Sequence, residues 1–209
     1  MDEIAGYPAG EIKKELESLG IVPLEGGPFL YRGHRILGRG RRGVVFRGTW
    51  KGGEVALKVL RSDSARPDTR REFELTRLAN SVGVGPQVFE RTKRVIVMEL
   101  VHGVPLRNHT ELSHPELERC VKESLEQASR LDALGLDHGE LSRAHSHVVF
   151  TERGAKIIDF DSASVLRKPH NFNSLYSFYY MAGSALSERI KRIGFNTGLA
   201  KAIRSQRRS

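Results

Sequence analysis

The chain reads as an α+β protein of two lobes, an antiparallel five-stranded sheet followed by a reduced, mainly helical half. Three observations predict this. From Tyr31 to Met98 the apolar residues come in short β-branched and aromatic runs divided by Gly, Pro and polar turns, the signature of strands. From Ser113 onward the apolar spacing changes to the three-and-four repeat of helices. The length, 209 residues with 39% hydrophobic and 28% charged, suits an ordinary globular protein of one two-lobed domain or two small ones. The divisions expected are an extension over 1–30, a first lobe over 31–100 and a second lobe with a basic tail over 101–209.

In the extension, Glu11 to Leu19 places Ile12, Leu16 and Leu19 on one helical face, and Gly20 suits its end. A helix this short is marginal alone and is expected to dock on the main body. Pro23, Gly26, Gly27 and Pro28 predict a loop. Strands follow at Tyr31–Leu37, Val44–Trp50 and Glu54–Leu60, the last two joined by a Gly52-Gly53 turn. After a loop over Asp63–Asp68, Thr69–Asn80 reads as a helix, with Phe73, Thr76, Leu78 and Ala79 mostly inward. Val88-Phe89 and Val95–Met98 complete the sheet. Pro115–Leu134 is a long helix, capped by Ser113 and ended by Gly135. Its stripe includes Cys120, the only cysteine. One thiol excludes an internal disulfide or a cysteine-rich zinc site, and on that stripe it reads as a small core residue. A hairpin over Val148–Ile158 and one helix over Asn173–Ile193 end the pattern.

The stretch Gly38-Arg39-Gly40-Arg41-Arg42-Gly43 has three glycines at G-x-G-x-x-G spacing, so a turn can approach a phosphate with no Cβ in the way. Dinucleotide folds need a helix next. Here Val44-Val45-Phe46 is strand-forming, and the second strand ends Val55-Ala56-Leu57-Lys58. A glycine flap, a hairpin and a strand lysine resemble the nucleotide-binding half of protein kinases. In that resemblance Gly38, Gly40, Gly43, Val45, Ala56 and Lys58 bind ATP, Met98 backs the pocket, and backbone groups of Glu99 and Val101 face the adenine. A helix glutamate should hold the lysine on the phosphates. Glu72 and Glu74 compete and cannot share a face.

The second chemical stretch is Asp137-His138-Gly139-Glu140-Leu141, followed by Lys156-Ile157-Ile158-Asp159-Phe160-Asp161, a short strand ending on a carboxylate. These fall where kinases carry H-R-D-L and D-F-G. From about Gly33 to Arg167 the chain resembles the small atypical Ser/Thr kinases of archaea and eukaryotes. These are the RIO kinases and the minimal kinase of the tRNA threonylcarbamoyl-adenosine machinery. Arg71-Glu72-Phe73 and Gly83-Val84-Gly85-Pro86 fit that resemblance and favour Glu72 as the lysine's partner. The resemblance implies ATP with Mg2+ or Mn2+, Lys58 and Glu140 as catalytic groups, and Asp159 as both catalytic and metal-binding. It implies a Ser/Thr of a protein, possibly this chain itself, as acceptor.

The departures bear on activity. Glu140 stands where the family has the catalytic aspartate. The metal-binding asparagine is replaced by His145, or by His147 if the loop holds two extra residues; imidazole suits transition metals better than magnesium. Asp161 replaces the glycine of D-F-G. The alternative reading is therefore a weak pseudokinase or ATPase module that binds nucleotide and regulates a protein or RNA-containing complex. Hydride transfer and nucleophilic hydrolysis have no support, since neither Gly-x-Ser-x-Gly nor His-Glu-x-x-His occurs. Net charge is +9, concentrated in residues 187–209, which could contact RNA or a ribonucleoprotein. No apolar run is long enough for a membrane span and the start lacks a signal-peptide pattern, so cytoplasm is expected.

Overall fold

A computed structural model describes residues 3–193. They form two compact units, one of residues 3–77 with 87–100 and one of residues 78–86 with 101–193.

The first unit begins with a two-residue hairpin, β1 (Glu3–Ile4) against β2 (Tyr7–Pro8), and α1 (Ala9–Ser18). Strands β3 (Val22–Leu24), β4 (Phe29–Tyr31), β5 (His34–Ile36), β6 (Gly38–Arg39), β7 (Gly43–Trp50) and β8 (Gly53–Leu60) follow. Next come α2 (Arg70–Asn80), β9 (Val88–Arg91) and β10 (Val95–Glu99). The main sheet has the order β3-β7-β8-β10-β9, with β6 also paired to β7, and every pairing is antiparallel.

That is six strands where five are expected, and the difference lies at one edge. Arg32 and Gly33 both adopt positive φ and fold Tyr31–Leu37 into a separate hairpin, β4 against β5, instead of one long strand. The outer strand comes from the expected loop of the extension: Val22–Leu24 pairs with Thr49–Arg47. Pro23 is tolerated there because an edge strand can lack one donor.

The side chains of a strand alternate between faces, and this decides what the sheet does. Val44, Val55, Leu57, Val59, Val95 and Val97 point to one face, where they pack with Ile4, Ala9, Ile12, Leu16 and Ile21 of the extension. The extension thus covers that face and supplies half its core. Polar contacts fix it: Glu15 accepts from the Thr92 hydroxyl and from Arg94 N–H at 3.1 Å, and Trp50 Nε1 donates to Leu19 O at 3.1 Å. The opposite face carries Val45, Ala56, Lys58 and Met98.

The second unit is built on α3 (His114–Ala133), opened by a reciprocal capping box between Ser113 and Glu116. Strands β11 (Val104–Pro105), β12 (Val148–Thr151) and β13 (Gly154–Ile157) form a small antiparallel sheet. Short 3-10 turns span Leu106–Glu111 and Leu141–Ser146. The final expected helix is two: α4 (Asn171–Tyr180) and α5 (Ala185–Arg192). The chain breaks at Gly183, and Ser184 caps the new helix by accepting from Ser187 N–H at 3.2 Å. Cys120 is fully buried, and burial pushes its thiol up to about 12, which leaves it unreactive. The segment 78–86 belongs to this unit. Asn80 donates to the Val84 and Pro86 carbonyls, each at 3.0 Å. Gly85 meets the Phe160 ring so closely that a Cβ would lie 2.8 Å from it. Among the described residues no helix is long and apolar enough to cross a membrane.

Candidate functional site

In the first unit the chemistry gathers on the face of the sheet opposite the extension. Gly38 stands opposite Val45, Val45 opposite Lys58, and Ala56 opposite Met98. The flap is closed at its base by Gly40 N–H donating to Gly43 O at 2.8 Å. A Cβ on Gly43 would sit 3.0 Å from Lys58 Cε, so glycine lets the flap strand lie against the lysine stem. Lys58 Nζ donates to the Glu72 carboxylate, and the two side chains are only 10% and 14% exposed. A cation this deep must be paired. Glu74, the other candidate, turns away and accepts from Arg77 at 2.6 Å. At the end of β10, Glu99 N–H is engaged by Gln87 O at 2.8 Å. Val101 lies in the second unit.

In the second unit three separated residues converge. Glu140, His147 and Asp159 each offer a ligand atom within 4.8 Å of the others. His145 is exposed and lies against the Phe178 ring, 5.1 Å between centroids, and neither it nor Asp161 joins the group.

Helix α3 begins the positioning. Glu123 and Gln127, one turn apart, reach β13: Glu123 accepts from Ala155 N–H at 2.7 Å, and Gln127 accepts from Ile157 N–H at 3.1 Å. The strand edge is thereby satisfied by side chains, and Asp159 follows two residues later. Ile158 is gripped on both sides, its N–H donating to His147 O at 2.9 Å and its carbonyl lying 3.1 Å from His138 Nε2. A carbonyl only accepts, so Nε2 of His138 carries the proton. That ring is fully buried, and burial, followed by the neighbouring His147, draws its pKa down to about 4. It also packs edge-on to Phe160 at 4.9 Å. His138 is therefore a neutral buried strut, joining the loop of Glu140 to the strand end of Asp159.

Two clamps hold the same loop. Asn171 is buried and accepts from His138 N–H at 2.8 Å while donating to Leu136 O at 2.7 Å. It is oriented by Asp132, which accepts from Asn171 Nδ2 at 2.8 Å and from the first backbone amides of α4. On the other side Asp137 and Ser164 exchange backbone hydrogen bonds of 2.9 and 2.8 Å. Arg167 bridges the Asp137 carboxylate at 2.8 Å and Ser162 O at 2.6 Å. Gly139, with φ of +86°, passes beneath that guanidinium, where a Cβ would come within 2.6 Å. Sequence reasoning assigned no role to Asp132, Asp137, His138, Arg167 or Asn171. Asp137 and His138 lie in a recognisable motif, whereas the others are unremarkable polar residues whose partners stand 5 to 40 positions away.

The face with a paired lysine beneath a glycine flap, and the loop that brings two carboxylates and an imidazole together, belong to chemistry on phosphates. No curated protein matches the chain. A family model described as the RIO domain matches residues 50–177, more than half of it. That span contains Lys58, Glu72, Glu140, His147, Asp159 and Asn171. The chain belongs to the RIO domain family, the atypical kinases, whose members are ATP-dependent phosphotransferases.

Proposed function

We propose that this chain is a Ser/Thr protein kinase of the RIO type. The observation that carries the reading is the buried Lys58–Glu72 pair beside Gly43. Such catalysis consists mainly of positioning and charge neutralisation. The residues present fit the cofactors. Gly43 leaves room for the backbone at the lysine, and Asp159, with His147 and Glu140, offers a cation a donor set. In this reading residues 31–100 are the nucleotide-holding lobe, 101–209 the acceptor lobe and 1–30 the extension.

The Gly38–Gly43 flap covers the phosphates, and Lys58, held by Glu72, neutralises the pair that stays with the leaving group. Val45, Ala56 and Met98 supply the apolar face for the adenine, and backbone groups of Glu99 and Val101 its polar edge. Asp159 holds the divalent ion, which when bound screens the charge of the phosphate oxygens. Glu140 orients the acceptor hydroxyl and takes its proton. The acceptor is a Ser or Thr of a protein, this chain included.

The test is release and transfer of γ-phosphate from labelled ATP, with Mg2+ and with Mn2+, for wild type beside Asp159→Asn. Wild-type turnover that the variant loses by about a hundredfold or more supports the kinase. Equal background counts in both, while wild type still binds ATP, would leave a nucleotide-binding module.

A further inference from the structure

We infer that Glu140, His147 and Asp159 form a site for a divalent transition-metal ion that fills without nucleotide. This deepens the kinase reading at the same loop, yet it stands or falls without any phosphoryl transfer.

In the phosphotransfer scheme a cation is carried largely by the phosphates, with Asp159 as the protein's main contribution, and Glu140 is kept for the acceptor. The geometry brings Glu140 to the cation as well. Its two oxygens face different ways: Oε2 lies 3.6 Å from His147 Nε2, and Oε1 lies 3.7 Å from the Arg143 guanidinium. The first distance is too long for a hydrogen bond. It matches the separation of two ligands around one ion: with bonds of about 2.1 Å, neighbouring donors stand about 3.0 Å apart at right angles and about 3.4 Å apart in a tetrahedron. All three donor atoms lie within 4.8 Å of one another, so closure on an ion needs movement of under about 1 Å in side chains that are only partly buried.

The backbone defines the three positions before any ion arrives. Ile158 is tied to both His147 and His138, which fixes the stem of His147 against that of Asp159. Asn171 holds the amide of His138, two residues before Glu140. Three ligands on one pre-ordered frame explain why phosphate oxygens are not needed to complete a binding site.

The donor types set the class of ion. Magnesium takes oxygen ligands and keeps most of its water. Replacing one oxygen by an imidazole nitrogen favours Mn2+, and Zn2+ more strongly, over Mg2+. Oε1 of Glu140 is left directed away from the ion, so one carboxylate can serve the metal and the acceptor together.

The experiment uses the full chain freed of metal and nucleotide. Mn2+ is titrated in, and the free ion is followed by its electron paramagnetic resonance signal. The expected result is one Mn2+ per chain, retained against about a hundredfold excess of Mg2+. Glu140→Gln and His147→Asn should each weaken binding about tenfold or more, the latter also erasing the preference over Mg2+. His145→Ala should bind as wild type. A second readout uses the wild-type chain: Zn2+ should shift the imidazole nitrogens of His147 in the NMR spectrum and leave His145 unmoved. Three results overturn the inference: Mg2+ displacing Mn2+ at comparable concentration, Glu140→Gln binding as wild type, or Mn2+ binding only after ATP is added. Loss of ATP turnover with Mn2+ binding intact would refute the kinase and leave the metal site.

Discussion

Replacing Asn171 by alanine should be among the most damaging single changes in the second unit. Its side chain is buried and satisfies two backbone groups that have left regular structure, the N–H of His138 and the carbonyl of Leu136. Both lie where water does not reach. Stranding a buried polar group costs about 1–3 kcal/mol, so the pair should cost about 3–4 kcal/mol at mid-range. For a chain of this size about 2–4 °C is lost per kcal/mol, so the melting temperature should fall by about 10 °C. Helix α4 itself should survive, because the Asp132 carboxylate still accepts from its first two amides. Asn171→Asp separates the terms. It keeps an acceptor for His138 but sets a second carboxylate where Asn171 now donates to Asp132 at 2.8 Å. Relative to wild type at the same pH, that variant should be more destabilised at neutral pH than near about pH 4, where one carboxyl is protonated. Thermal unfolding by circular dichroism at both pH values measures this. An alanine variant melting within about 2 °C of wild type would show that the loop does not depend on Asn171.

Two further outcomes follow from the same geometry. Glu72→Gln should slow ATP turnover by about tenfold or more, the rate equivalent of about 1.4 kcal/mol. Glu74→Gln, whose carboxylate serves the surface contact to Arg77, should leave the rate unchanged; equal effects would contradict the pairing. His138 should make the metal-free chain acid-sensitive. Its folded pKa of about 4 lies below the ordinary 6.5, so the unfolded chain binds the extra proton and stability falls as pH drops from 6.5 towards 4. The loss should reach about 2 kcal/mol by pH 5 and about 3 kcal/mol by pH 4. Urea unfolding of wild type beside His138→Gln in EDTA isolates it; parallel pH profiles would show that His138 is not the group responsible.

Local chemistry was enough for much of this protein. β-Branched runs, the Gly52-Gly53 turn and the Ser113 cap specify strands and a helix through neighbours a few positions apart, and β7, β8, β10 and α3 form there. Alternation puts Ala56 and Lys58 on one face of β8, since side-chain direction within a strand follows parity, and the hairpin register sets Val45 opposite Lys58 on that face. Three expectations failed: the Arg32-Gly33 turn folds Tyr31–Leu37 into a hairpin, and two others gave way, one to long-range pairing and one to a local cap. Val22–Leu24 became a strand because the free edge of β7 was there to be paired. The last helix broke in two at Gly183, where a cap at Ser184 competes with continuation.

What tertiary structure alone decided is which polar residues meet. Glu72 and Glu74 are equivalent by composition; the family resemblance favours Glu72, and the path of α2 turns it towards Lys58 and Glu74 towards Arg77. His145 and His147 differ by two positions in one loop, and only the grip of Ile158 on the His147 backbone brings that imidazole to Glu140 and Asp159. Asp132 and Asn171 lie 39 positions apart and carry no local signal. A hydrogen bond needs two partners at one point in space, and a sequence lists the partners without the point.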